Sequence, residues 1–184
     1  PELPEVETVR CGLQPAMEGA RFESVWMGRG DLRWPLPKDF VQRLEGKTVE
    51  RLSRRGKYLL ASLSSGDLLI MHLGMSGSFR VGLPSGKQTP GHFYRERSKN
   101  TGHDHIVFEM STGAEVTFND PRRFGIMELL GSDQFARHPV LSRLGPEPLS
   151  SGFNAAALAR ACKGKKTTLK AALLDQRTVA GPGT

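Results

Sequence analysis

The stretch YLLASLSSGDLLIMHL, residues 58–73, decides the fold. It contains two apolar runs of strand length, Tyr58 to Leu63 and Leu68 to Leu73. The four residues between the runs, Ser64-Ser65-Gly66-Asp67, are of the types that form tight turns. Two strand-like runs joined by a short turn predict an antiparallel β-hairpin.

Further short strand candidates lie on both sides of this hairpin, and Ser111-Thr112-Gly113 forms a second hairpin-like turn. Many short strands joined by tight turns are typical of an antiparallel sandwich or barrel. The other candidates are Arg21 to Met27, Thr48 to Leu52, Ser76 to Val81, His105 to Met110, Glu115 to Phe118 and Gly125 to Leu130.

Helical patterns occur at both ends of the chain. The opening PELPEVETVRCGL places Val6, Val9 and Leu13 on one apolar stripe, which predicts an amphipathic helix. Near the end, Asn154 to Cys162 and Thr167 to Gln176 predict two short helices, the second capped by either Thr167 or Thr168. A helix over 132–144 is left open.

Two segments lack periodicity. Residues 83–102 are polar and rich in Gly, Lys, Arg and Ser, so they predict a mobile surface loop inside the sheet domain. Residues 138–151 contain Pro139, Pro146 and Pro148, which predicts a linker. These boundaries predict a sheet domain over 1–137 and the start of a helical domain over 152–184.

The composition restricts the partners. The 184 residues contain 26 Lys and Arg against 19 Asp and Glu, a net charge of +7. Such a surplus favours a polyanionic partner such as nucleic acid, with simple solubility as the alternative. The two cysteines, Cys11 and Cys162, predict neither a disulfide framework nor a cysteine metal cluster, and they suit the reducing cytoplasm. No apolar run approaches the roughly 20 residues that span a membrane, and no signal peptide is expected.

The first two residues are candidates for catalysis. The amine of an N-terminal Pro1 is secondary, and α-amino groups titrate near ~7.7–8.0, so part of it is neutral at physiological pH. A neutral secondary amine attacks an aldehyde carbon to give an iminium, and Glu2 is placed beside it as an acid or base. The alternative is an ordinary helix start.

Six motifs follow one another along the chain: PELPEVETV, RRGKYLL, HLGMSGSFR, the HDH of 103–105, NDPRRFG and LGPEPL. Together they resemble the formamidopyrimidine-DNA glycosylase family, bacterial enzymes that remove oxidised purines, from Pro1 to about Gly181. The resemblance implies a two-layer antiparallel β-sandwich with flanking helices, α+β but mainly β, followed by a helical DNA-binding domain.

The resemblance also implies a reaction and a partner. The amine of Pro1 attacks C1′ of the damaged nucleotide, the base leaves, and elimination breaks the DNA backbone. Glu2 matches the acid or base, and Lys57 matches a lysine near the phosphates, although a solvated strand-edge lysine is the alternative. The expected partner is double-stranded DNA with 8-oxoguanine or formamidopyrimidine lesions, bound by a monomer without membrane association.

Base chemistry on duplex DNA requires the nucleotide to leave the stack, and side chains then fill the gap. Met75 matches the family's inserted methionine, and Arg122 and Phe124 match the residues that fill the void and contact the orphaned base. Arg123, in the same DPRRFG motif, is also expected to contact DNA. A lone Met or Phe is usually core, but here each lies in a turn marked by Gly or Pro.

Further basic residues are expected to face phosphate: His72, Arg54, Arg55, His103 and His105. A metal site on the His103 and His105 pair is the alternative, since two histidines in H-x-H spacing on a strand share one side. Lys165 resembles the family's lysine near the lesion. The register against the neighbouring lysines, Lys163 and Lys166, stays open.

The sequence departs from the family at its end. Gly181-Pro182-Gly183-Thr184 occupies the place of G-x-G-N, so Thr184 replaces a phosphate-binding Asn, and Pro182 lacks a backbone donor. The family's four-cysteine zinc finger has no counterpart here, so no cofactor or metal is expected in this chain. We therefore expect a C-terminally truncated member with weak or no activity. A non-catalytic DNA-binding fragment and a metal-binding sandwich are the alternatives.

Overall fold

The computed structural model describes residues 1–83, 86–88 and 101–184. Strands dominate this part of the chain, and helices flank them. The strands are β1 (Phe22–Met27), β2 (Val49–Arg55), β3 (Tyr58–Leu63), β4 (Leu68–His72), β5 (Ser78–Leu83), β6 (Gly86–Gln88), β7 (Asp104–Met110), β8 (Glu115–Asn119) and β9 (Ile126–Leu130). The α-helices are α1 (Leu3–Met17), α2 (Phe40–Leu44), α3 (Ala155–Cys162) and α4 (Leu169–Leu174), with 3-10 turns at Thr101–His103, Phe135–Arg137 and Leu141–Arg143.

The strands form two antiparallel sheets. One has the order β1-β7-β8-β5-β6 and the other the order β2-β3-β4-β9. The predicted hairpin is present, with Tyr58 opposite His72 and Leu60 opposite Ile70. The mainly β, two-layer architecture expected from the sequence is therefore confirmed.

The apolar core joins the inner faces of the sheets to helix α1. The predicted stripe of Val6, Val9 and Leu13 is buried, at most 1% exposed. Phe22 and Phe108 pack edge to face, with ring centroids 5.1 Å apart, in a geometry that aromatic pairs prefer. Because α1 packs on this core, its first residues are held in one place at the rim of the sandwich.

The segment 83–102 contains more structure than the sequence predicted. Strand β6 pairs with β5, with Val81 opposite Gln88, and a 3-10 turn begins at Thr101. Residues 84–85 and 89–100 lie outside the described residues, so the mobility of this segment stays a prediction.

The predicted linker, residues 138–151, is tied to the sandwich. The carboxylate of Glu147 accepts hydrogen bonds from Arg54 (2.6 Å), Arg55 (2.8 Å) and the N–H of Gly56 (2.7 Å). Leu141 of the same segment is buried. In place of a helix over 132–144, the chain makes two short 3-10 turns.

The last part of the chain returns to the sandwich. Helix α3 is capped by the side chain of Asn154 and α4 by that of Thr168, which settles the choice between the two threonines. Beyond α4, Ala180 donates its N–H to Pro146 and is fully buried. Among the described residues, no helix is both long and apolar enough to cross a membrane.

Candidate functional site

A cleft of about 550 Å³ opens where the start of α1, the β2–β3 turn and the last residues of the chain meet. Its wall also includes the end of β4 and the loops that precede β5 and β9. Six residues singled out from the sequence line this cleft: Pro1, Glu2, Lys57, His72, Met75 and Phe124. The fold thus brings together residues from four separate motifs.

The amine of Pro1 lies among charged side chains. Pro1 is almost buried, with 5% of its side chain exposed, and its nitrogen is 4.0 Å from Oε2 of Glu5. Lys57 Nζ donates to Oε2 of Glu2 at 2.8 Å. The N–H of Glu2 donates to Glu5 at 2.6 Å, which holds the first helical turn in place. An amine, a carboxylate and an ammonium group therefore line one cleft.

His72 lies at the end of β4 and packs on Tyr58, with ring centroids 4.7 Å apart. Burial lowers the pKa of His72 to about 4, and the positive charges of Lys57, the N-terminal amine and Arg33 contribute to this shift. The ring is therefore neutral at pH 7. Its Nδ1 accepts the N–H of Gly74 at 3.0 Å, so the proton is on Nε2. His72 thus offers a hydrogen-bond donor to a ligand, not a charge.

Met75 and Phe124 project from two loops in contact with each other. Met75 is 64% and Phe124 42% exposed. A Cβ at Gly74, where φ is +61°, would lie 2.5 Å from the backbone of Phe124, so only glycine permits this approach. The guanidinium of Arg122 lies 4.8 Å from the centre of the Phe124 ring, in cation–π range.

A buried carboxylate, Asp120, joins the two loops. Its Oδ1 accepts the hydroxyl of Ser76 at 2.6 Å and its Oδ2 accepts the N–H of Gly125 at 2.8 Å. Ser76 Oγ in turn accepts the N–H of Arg122 at 3.0 Å. The Met75 loop and the Phe124 loop are therefore one hydrogen-bonded unit.

The fold places the two histidines of the HDH motif differently. His105 is 5% exposed, and its Nε2 lies 2.8 Å from the backbone oxygen of Asp120, so its ring is buried and does not face phosphate. The contact of His103 with phosphate stays a prediction. His103 ends a 3-10 turn and does not share a strand with His105. Between them, Asp104 pairs with Arg80 and accepts the side-chain amide of Asn119.

Three further basic residues lie outside the cleft beside carboxylates, and their contact with DNA stays a prediction. The guanidinium groups of Arg54 and Arg55 are held by Glu147 and do not line the cleft. Lys165 Nζ contacts the hydroxyl of Thr178 at 3.1 Å and Asp175 at 3.6 Å, also outside the cleft. The carboxylates of Glu147 and Asp175 therefore offset positive charges that the sequence analysis expected to face DNA.

Arg123 is exposed, with a backbone φ of +56° between Arg122 and Phe124. Its contact with DNA stays a prediction. Within the described ranges, no group of three or more His, Cys, Asp or Glu side chains is placed to hold a metal ion.

The cleft residues missed from the sequence include Arg33 and Tyr58. Tyr58 was assigned only to a strand, because apolar patterning does not distinguish a core aromatic from one at a cleft. For Arg33, the available sequence signal was its place beside Trp34 in the polar GRGDLRWPLP stretch. In the structure, 56% of Trp34 is exposed.

Comparison with known proteins agrees with this geometry. Residues 1–127 match the family model of the formamidopyrimidine-DNA glycosylase N-terminal domain. A formamidopyrimidine-DNA glycosylase from Rhodopseudomonas palustris is 65% identical over 183 residues, and one from Bradyrhizobium sp. is 63% identical. Both matches cover 100% of this chain but 62% of the relative, so the chain spans about three fifths of the curated relatives' length.

Solved structures show the same fold. The Lactococcus lactis glycosylase, non-covalently bound to DNA containing an AP site, matches with a TM-score of 0.80 at 30% identity. The match covers 100% of this chain and 65% of that one. The protein from Thermus thermophilus matches with a TM-score of 0.79 at 37% identity, covering 100% of this chain and 60% of that one.

Proposed function

Because the chain belongs to the formamidopyrimidine-DNA glycosylase family, we propose that it acts in base-excision repair as a DNA glycosylase with abasic-site lyase activity. The proposed substrates are oxidised purines, 8-oxoguanine and formamidopyrimidines, in double-stranded DNA. The observation that carries the proposal is the cleft in which Pro1 lies beside the Glu2–Lys57 pair. The proposed site of action is the DNA of the cytoplasm.

The reaction begins with the neutral amine of Pro1, which attacks C1′ of the damaged nucleotide. The bond from C1′ to the base breaks as nitrogen bonds to C1′, and the base leaves with the proton that the amine loses. The C1′–O4′ bond of the sugar ring then opens, O4′ takes a proton from the acid, and nitrogen and C1′ form an iminium. Loss of a proton from C2′ then expels the 3′ phosphate oxygen and cleaves the strand. Glu2 lines the same cleft as the amine, and we assign it the role of acid and base in these steps.

The two joined loops support the extrusion of the nucleotide. Unstacking a base costs a few kcal/mol, and inserted apolar side chains offset part of this cost. Met75 and Phe124 are exposed at the cleft, and Arg122 packs on the Phe124 ring. We propose that these three side chains fill the space left by the nucleotide.

Borohydride trapping tests the role of Pro1. The chain is incubated with a duplex that carries an oxidised purine or an abasic site, and reduction of the iminium gives a covalent adduct. The control has one additional residue before Pro1, which turns the amine into an unreactive amide. The adduct is expected with the chain and absent with the control, and an adduct formed by the extended protein would contradict the assignment.

A non-catalytic DNA-binding fragment is the second candidate. It is favoured by the length of the relatives, because this chain covers 62% of a relative that matches it along its whole length. Each phosphate contact contributes to binding, so we expect weak or no excision by these 184 residues. Binding without trapping would support this candidate, whereas efficient excision of an oxidised purine would exclude it.

A further inference from the structure

Arg33 is held in the cleft by its backbone. Its N–H donates to the carbonyl of Gly125 at 3.2 Å, next to Phe124. The preceding residue, Leu32, is 5% exposed and anchors the turn in the core. The turn is closed by a hydrogen bond from the N–H of Leu32 to the carbonyl of Trp34 at 3.0 Å. The position of Arg33 is therefore determined by the same unit that presents Phe124.

The charge of Arg33 is not matched by a carboxylate in the described part of the chain. No ion pair there includes Arg33, whereas Lys57 is paired with Glu2 and Arg54 with Glu7 and Glu147. The guanidinium lies 5.6 Å from the centre of the exposed Trp34 ring. Stacking on an aromatic face leaves the N–H groups at the edge of a guanidinium available for a ligand.

The charge of Arg33 also acts inside the cleft. Together with Lys57 and the N-terminal amine it lowers the pKa of His72, and it opposes the rise in the pKa of Tyr58 that burial causes. Arg33 lines the same cleft as both of these rings. The cleft therefore combines three positive groups with His72, which donates a neutral N–H.

We propose that Arg33 binds a backbone phosphate of the DNA in this cleft, together with Lys57 and His72. The proposal rests on the proposed function, and it adds a residue that sequence motifs did not indicate. A guanidinium binds phosphate through two parallel N–H···O bonds. Because phosphate is common to all nucleotides, this contact positions the strand and carries no base specificity.

The first experiment needs no DNA. The pKa of His72 is measured by NMR in the wild-type chain, in Arg33→Gln, and in Arg21→Gln, an equal change of charge on an exposed residue outside the cleft. Removing one of the three cations is expected to raise the pKa of His72 in Arg33→Gln only. The same pKa in all three proteins would overturn the placement of Arg33.

The second experiment measures the binding of a short duplex with a tetrahydrofuran abasic analogue between about 50 and 200 mM salt. The slope of log K against log salt is expected to fall by about 1 in Arg33→Gln and to stay unchanged in Arg21→Gln. Arg33→Lys is expected to recover the slope but not the full affinity, because lysine lacks the paired donors.

The outcomes separate the inference from the function on which it rests. Binding by the wild-type chain with an unchanged slope in Arg33→Gln would overturn the inference alone. A wild-type chain that does not bind the duplex would overturn both the proposed function and the inference.

Discussion

His72 is a histidine that the fold keeps neutral. Its pKa of about 4 follows from burial and from three nearby positive groups, whereas a histidine in an unfolded chain titrates near ~6.5. As the pH falls below that value, the unfolded chain takes up a proton that the folded chain does not. Acid therefore destabilises the fold through this residue, and the effect is fully expressed near pH 4.

At this residue scale, the two pKa values predict that His72 removes about 2 kcal/mol from the free energy of unfolding between pH 8 and pH 5. Urea unfolding of the wild-type chain and of His72→Gln at both pH values measures it. The variant is expected to lose less stability on acidification than the wild type. Equal losses would show that the ring titrates normally in the fold.

At the scale of elements, the Asp120 carboxylate joins the loops 73–77 and 120–125 by hydrogen bonds. Removing the hydroxyl of Ser76 leaves one oxygen of the buried Asp120 carboxylate without this partner. Unsatisfied buried groups cost about 1–3 kcal/mol each. The chain therefore holds Met75 and Phe124 in position through a side chain that contacts no proposed ligand.

Ser76→Ala is expected to lower the free energy of unfolding by about 1–3 kcal/mol, measured by urea unfolding at pH 7. The matched control is Ser24→Ala, since Ser24 also donates to a carboxylate, that of Glu109 at 2.8 Å, but at the exposed surface. Exposed changes of this kind alter stability by about 0.5 kcal/mol or less. Similar losses in both variants would argue against a special role for the buried network.

At the scale of the whole molecule, the last residues of the chain complete the cleft around the first ones. Gly181 has φ of +107°, and a Cβ there would lie 1.9 Å from Cδ1 of Leu3. A Cβ at Gly183 would lie 1.9 Å from Oε2 of Glu2. The two ends of the sequence are thus packed so closely that a side chain larger than hydrogen at either position must displace the side chain of Leu3 or Glu2.

Gly181→Ala tests this packing against Gly164→Ala, where φ is +75° and a Cβ would meet nothing within 4 Å. Both variants carry the strain of a left-handed residue, about 1 kcal/mol. The clash with Leu3 adds about 1–3 kcal/mol in Gly181→Ala alone, as measured by chemical unfolding. Equal destabilisation of the two variants would show that the tail does not press on α1.

Much of the fold follows from local patterns. The hairpin of 58–73, the buried stripe of α1 and the caps of α3 and α4 are each determined by residues within a few positions of one another. Glycines beside Met75 and Phe124 likewise indicated exposed turns. Such features are predictable because backbone preference and side-chain periodicity depend on residues that are close together in the sequence.

The sequence by itself thus determined most of the strands, the helices α1, α3 and α4, the family and most of the candidate site residues that line the cleft. Only the tertiary structure decided which charges remain available. Arg54 pairs with Glu147, 93 positions away, and His105 is buried against Asp120, whereas Arg33 enters the cleft. The physical reason is that burial and ion pairing depend on contacts between segments that are far apart in the sequence. Local periodicity does not predict which distant segments come into contact.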